Sequence, residues 1–227
     1  MSETDSQKHE RINDILLGPI ERRALRWLCE RMPAWVTPDL LTVLALAAGV
    51  LIALSYVLTN ISPAYLWLAN FGFILHWFGD SLDGTLARYR KIERPKYGYF
   101  VDHSLDSLTE FLIAFGIGLS PYVQLEYALF ALTGYLLMSV SVYVRTYVTG
   151  VFQISYGKFG PTEIRVMIIL ANTLVYFIGN PKLGTPLSAF TLFDLVAIGV
   201  GTVLILLFVL TTFRVAKGLR NQEMIHS

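Results

Sequence analysis

Cysteine is nearly absent from this chain: Cys29 stands alone. A single thiol excludes an intrachain disulfide and any zinc site built on cysteines, and Cys29 reads as an apolar filler of its helix. Charge is scarce too. Asp, Glu, Lys and Arg make up 15% of the 227 residues against 54% hydrophobic ones, and the mean hydropathy is +0.54. Soluble domains carry about 25% charged residues, so this composition is that of a membrane protein. The formal net charge of +1 gives no case for a nucleic-acid partner. An early apolar core is also missing: residues 1–30 are polar and charged, which predicts no cleavable signal peptide.

In place of charge the chain has long apolar runs. A spanning helix needs roughly 20 apolar residues. Six runs qualify, at about 39–58, 63–88, 98–119, 125–148, 161–179 and 191–213, punctuated by Asn60 to Pro63, Pro95, Ser120-Pro121, Gly157 to Pro161 and Asn180-Pro181 to Pro186. The expected fold is all-α: a polytopic membrane protein with six transmembrane helices, preceded by an amphipathic surface helix. In that surface helix, over 12–32, Ile12, Leu16, Ile20, Ala24 and Leu28 recur every four residues beside Arg22, Arg23, Arg26 and Arg31. The chain divides into a cytoplasmic tail with this helix (1–37), a membrane domain (38–214) and a C-terminal tail (215–227).

Positive loops stay in the cytoplasm. Every lysine and arginine except Lys182 falls in the N-terminal tail, the second-to-third or fourth-to-fifth connection regions, or the C-terminal tail. Both termini and the end of the bundle they share are therefore expected to be cytoplasmic.

The informative segment runs from Asp80 to Asp106. Acids are rare in spans unless they are paired, metal-bound or water-exposed, yet Asp80, Asp83, Asp102 and Asp106 sit at the edges of apolar runs. Asp80 lies ~26 Å along the second span, and Asp102 and Asp106 lie ~6 and ~12 Å into the third, at 1.5 Å per residue. The pairs are thus expected to meet at similar depth on adjacent antiparallel helices, and residues three or four apart share a helix face. Carboxylates gathered without positive partners repel one another, and hard divalent cations with oxygen ligands relieve that repulsion. Two such cations can clamp a diphosphate. Gly84 and Ala87 leave room beside Asp80 and Asp83, Gly98 does so one turn before Asp102, and Arg88 offers a fork for phosphate oxygens. Taken singly, each has a plainer role: a hydrogen-bonded acid, helix-packing small residues, a snorkelling arginine.

Together these residues match the signature D-x2-D-G-x2-A-R-x8/9-G-x3-D-x3-D at every fixed position: Asp80, Asp83, Gly84, Ala87, Arg88, Gly98, Asp102 and Asp106. The chain thereby resembles the CDP-alcohol phosphotransferase family over nearly its whole length. Local wording at Met32 to Thr42, Phe100 to His103, Thr146 to Gly150 and Gly160 to Glu163 is similar to choline/ethanolamine phosphotransferases, although this chain is much shorter; Asp39 stands where the family often has Asn. The resemblance implies transfer of a phosphoalcohol from a CDP-linked donor to an acceptor hydroxyl, with release of CMP. It implies Mg²⁺ or Mn²⁺, two cations in all, on Asp80, Asp83, Asp102 and Asp106, with Asp106 also the catalytic base. Gly84, Ala87, Arg88 and Gly98 become contacts to the cytidine and diphosphate. The donor is of CDP-diacylglycerol or CDP-choline/ethanolamine type, the acceptor a lipid or small polar alcohol, and a homodimer is expected.

Other polar residues keep two readings. Glu110 orients Asp106 or holds an ammonium group, or it makes a helix-interface hydrogen bond. His103 borders the site as a packing residue or takes part in it. Arg145, Lys158 and Arg165 bind a phosphorylated acceptor or simply obey topology, and Glu163 stabilises a helix start. Two competing classes are a cation transporter, which needs polar residues along its whole depth, and an inactive lipid-binding relative, which would show a substituted aspartate.

Overall fold

Proline sets where most of the helices begin. The computed structural model describes residues 10–12, 16–153, 160–183 and 190–226. In chain order the elements are β1 (Glu10–Ile12), α1 (Gly18–Arg31), α2 (Pro38–Leu58), α3 (Tyr65–Arg90), α4 (Pro95–Gly118), α5 (Leu125–Thr149), β2 (Val151–Gln153), α6 (Pro161–Ile178), β3 (Lys182–Leu183), β4 (Phe190–Thr191) and α7 (Leu192–His226). In α1, α2, α4 and α6 a proline occupies the first or second position, where its missing N–H has no helical partner to lose. Thr37 caps α2 by accepting the Leu40 N–H at 3.2 Å. Left-handed residues end α3 at Lys91 (φ 56°) and α5 at Gly150 (φ 71°).

The all-α class stands, with two short strand pairs added: β1 with β2 in parallel and β3 with β4 antiparallel. The helices α2, α5, α6 and α7 are long and apolar enough to cross a membrane. The others of comparable length, α3 and α4, carry the acids.

The structure redraws both ends of the sequence reading. The N-terminal helix starts at Gly18, not at 12, because Gly18-Pro19 favours a helix start; Ile12 belongs to β1. Beside the expected stripe the helix has a second, inward face. Gly18, Leu25 and Cys29 face inward and are buried, whereas Leu16, Ile20 and Trp27 are 64%, 70% and 54% exposed on the opposite side. The helix therefore has two apolar faces, one against the bundle and one turned away from it. Cys29 is buried, as a filler should be, and that burial pushes its thiol pKa up. At the other end α7 runs on to His226, so the expected tail from 215 continues the same helix.

Packing centres on α2, which lies against both α3 and α4. A methyl on Gly79 of α3 would stand 2.6 Å from the Leu41 carbonyl oxygen, and one on Gly116 of α4 would stand 2.7 Å from Ala53 Cα. Backbones can approach this closely only where side chains vanish. The remaining contacts run from α4 to α5, from α5 to α7 and from α3 to α6. Among the described residues, α3 and α4 do not pack closely on each other, so α2 spaces them apart.

One apolar cluster joins Ile52, Tyr56, Leu66, Ala69, Phe73 and Val175, with Ile113, Ile117 and Phe193 against it. It closes the end of the bundle away from the arginines. Within it Tyr56 donates to Asn172 (2.9 Å), Asn172 to Asn70 (2.8 Å) and Asn70 to Thr173 (3.2 Å). These buried polar groups satisfy one another and tie α2, α3 and α6 together. A second cluster, Leu25, Cys29, Val36, Leu41, Leu82 and Leu86, seats α1 against α2 and α3 at the arginine-rich end.

Candidate active site

Helical periodicity brings the acids to one place. Asp80 and Asp83 occupy the final turns of α3, and Asp102 and Asp106 the early turns of α4. Asp83 is buried; its Oδ2 accepts the Thr42 hydroxyl of α2 at 2.7 Å, and its other oxygen accepts the Gly84 N–H. Asp80 pairs with Arg165 of α6 and lies within electrostatic reach of Asp106 across the gap between α3 and α4. Asp102 lies within electrostatic reach of Asp80, Asp83 and Asp106. The four carboxylates therefore lie at one end of the bundle within electrostatic reach of one another, with Asp80 turned to Arg165 and Asp83 to Thr42.

Among the described residues, the ligand atoms of Asp102, His103 and Asp106 lie within 4.8 Å of one another. His103 Nδ1 stands 3.8 Å from each neighbouring carboxylate. Its ring packs edge-on to Tyr99 (4.3 Å between centroids) and beside Tyr143 of α5 (5.2 Å). The oxygen-rich donor set suits a hard divalent cation. Four acids with one paired arginine among them leave an excess of negative charge that such a cation would balance.

The small residues differ in what surrounds them. A methyl on Gly84 would meet only the flexible Arg88 guanidinium, at 3.4 Å, and one on Gly98 would meet nothing within 4 Å. Both positions border open space, unlike Gly79 and Gly116. Ala87 is half-buried. Arg88 is exposed, with its guanidinium 3.2 Å from the Thr85 hydroxyl it donates to.

The neighbouring arginines have structural work. Arg90 donates to the carbonyls of Met32, Pro33, Ala34 and Val36, fixing the connection between α1 and α2. Arg94 pairs with Asp39 and covers the Tyr97 ring.

Several contacts were invisible to sequence spacing. Arg165, placed there among topology-setting charges, is largely buried on Asp80. Thr42 carries no signal beyond its place in a helix start, yet it holds Asp83. Glu110 is hydrogen-bonded to Tyr135 of α5, which agrees with its helix-interface reading. Glu163 accepts the N–H of Gly160 at its own helix start (2.9 Å) and also that of Leu17 (2.8 Å). Lys158 lies outside the described residues.

Among curated relatives, cholinephosphotransferase 1 of Homo sapiens is 29% identical over 172 residues, which is 72% of this chain and 42% of that protein. The chain thus spans about two fifths of the length of that relative (42%). CDP-diacylglycerol–serine O-phosphatidyltransferase of Encephalitozoon cuniculi is 30% identical over 158 residues, 65% of this chain and 38% of that protein. Archaetidylinositol phosphate synthase of Pyrococcus horikoshii is 28% identical over 189 residues, 83% of this chain and 87% of that protein. A solved structure, phosphatidylinositol phosphate synthase of Mycobacterium tuberculosis, aligns with a TM-score of 0.49 at 20% identity, covering 90% of this chain and 92% of that one. The family model for CDP-alcohol phosphatidyltransferase matches residues 35–213, the whole stretch that holds α2 to α6, the acid cluster and most of α7. The chain therefore belongs to the CDP-alcohol phosphatidyltransferase family.

Proposed function

We propose that this protein is an integral membrane phosphotransferase of phospholipid biosynthesis, taking a phosphoalcohol from a CDP-linked donor and passing it to an acceptor hydroxyl. The observation that carries this reading is the placement of Asp80 and Asp83 late in α3 and of Asp102 and Asp106 early in α4, with the ligand atoms of Asp102, His103 and Asp106 within 4.8 Å of one another. On this reading α2 to α7 are six spans, α1 lies on the cytoplasmic surface, both termini and the acid cluster face the cytoplasm, and the protein works as a homodimer. The distribution of lysine and arginine supports that orientation.

Asp80, Asp83, Asp102 and Asp106 would hold Mg²⁺ or Mn²⁺, which supplies charge neutralisation for a diphosphate and its departing phosphate. Gly84, Ala87 and Gly98 leave the space a cytidine needs, and Arg88 reaches its phosphates. Asp106 takes the proton of the acceptor hydroxyl. The acceptor oxygen forms the new bond to phosphorus, the bond between that phosphorus and the CMP oxygen breaks, and CMP leaves with the electron pair. Position makes Asp106 an effective base before any tuning of its basicity.

A transport reading finds little support. The acids gather at one end, and the deeper Tyr56, Asn70, Asn172 and Thr173 bond one another. The test is CMP release by purified protein with Mg²⁺ or Mn²⁺, with CDP-diacylglycerol or CDP-choline as donor and a panel of polar and lipid alcohols as acceptors. Release with one pairing supports the reading and names the alcohol. Silence across the whole panel overturns it.

A further inference from the structure

The connection between α1 and the acid cluster is more direct than a surface anchor needs. One oxygen of Glu21, in the first turn of α1, accepts three side-chain donors from two other helices. They are Trp77 Nε1 (2.9 Å) and the Ser81 hydroxyl (3.3 Å) of α3, and the Thr162 hydroxyl (2.8 Å) of α6. Ser81 adjoins Asp80 in sequence, and Thr162 precedes Arg165 by one turn on the same face of α6. Arg165 is the residue paired with Asp80. The α3–α6 crossing is thus fastened at two levels, one through Glu21 and one through the acid cluster itself.

A second carboxylate closes the arrangement from the other side. Glu163 of α6 is buried and accepts the backbone N–H of Leu17, just before α1. Each helix start therefore sends one acid to the other: Glu21 to Thr162, and Glu163 to Leu17. Hydrogen bonds to a carboxylate are about twice as strong as neutral ones and fix direction as well as distance. The apolar seat of Leu25 and Cys29 on Leu82 and Leu86 holds the rest of α1 in place.

We infer that Glu21 is a positioning residue for the transfer reaction: from outside the spanning bundle it locks the first turn of α6 to α3, and so fixes Arg165 against Asp80. This rests on the proposed phosphotransferase reading. It makes α1 a working part of the active site. Asp80 is also proposed to hold the cation, so loss of the lock acts on turnover and on the Mg²⁺ concentration for half-maximal rate.

The experiment compares Glu21→Ala, Glu21→Gln and Thr162→Val with wild type in steady-state CMP release, using Arg23→Ala, an exposed neighbour on α1, as control. Losing a hydrogen bond to a charged group on this path lowers kcat by about tenfold. Glu21→Ala and Thr162→Val are expected to show that loss together with a higher Mg²⁺ concentration for half-maximal rate. The double variant is expected to be no worse than the poorer single one. Glu21→Gln keeps an acceptor oxygen and is expected to recover most of the rate, and Arg23→Ala to match wild type. Wild-type kcat in Glu21→Ala, additive losses in the double variant, or an equal loss in Arg23→Ala would each overturn the proposal. A separate readout does not need turnover. In thermal unfolding of the purified protein, Glu21→Ala and Thr162→Val are expected to shift Tm non-additively. If wild type releases no CMP, the functional reading fails while this coupling still decides whether the lock exists; additive Tm shifts would sink it.

Discussion

Thr42→Val tests how tightly the fold must hold one carboxylate. The substitution keeps the branched shape of the side chain and removes only the hydroxyl that donates to Asp83 Oδ2 at 2.7 Å. Asp83 is buried, so water does not readily replace the lost donor. A hydrogen bond to a charged group is worth about 1.5–3 kcal/mol. If the whole of that difference is felt where Asp83 acts, kcat/KM falls by about ten- to a hundredfold. The Thr42 oxygen also lies 3.1 Å from the Pro38 carbonyl of its own helix, but its single proton serves the shorter contact. The assay is CMP release at a series of Mg²⁺ concentrations. The expected result is a lower kcat/KM together with a higher Mg²⁺ concentration for half-maximal rate, since Asp83 is proposed to hold the cation. A variant with kcat/KM within about twofold of wild type and an unchanged Mg²⁺ response would refute the idea that this contact positions a ligand.

Three further outcomes are expected. Gly84→Val raises the donor KM with little change in Tm, because a side chain there intrudes on open space; Gly79→Val instead prevents folding, since its Cβ would stand 2.6 Å from the Leu41 carbonyl, and detergent-solubilised yield and Tm separate the two. Tyr56→Phe removes the 2.9 Å bond to Asn172 and leaves that buried amide short of a partner, costing about 1–3 kcal/mol of stability; thermal unfolding measures it while the donor KM stays put. Chelation with EDTA stops CMP release, and added Mn²⁺ or Mg²⁺ restores it.

The acid cluster was legible because its chemistry is written at short range. Asp80 and Asp83, like Asp102 and Asp106, are close in sequence, and helical geometry turns such spacings into shared faces. The identity of the helices was legible for the same reason, since apolar runs bounded by proline leave few alternatives. Contacts made across the bundle were not. Arg165 lies 85 residues from Asp80, and nothing near it in sequence distinguishes it from a topology-setting charge. Thr42 and Glu21 carried no sequence signal that set them apart. The second apolar face of α1 was not legible: the every-fourth stripe through Leu16 and Ile20 lies on the side turned away from the bundle, while the bundle takes Gly18, Leu25 and Cys29. The buried chain of Tyr56, Asn172, Asn70 and Thr173 joins three helices and has no local pattern at all.

The most direct measurement compares wild type with Asp106→Asn for two quantities: CMP release, and binding of the CDP-linked donor that supports turnover. Asp106 is the one acid proposed both to hold cation and to take the acceptor's proton. The account predicts that Asp106→Asn loses turnover while donor binding largely survives. Full turnover in that variant would contradict it.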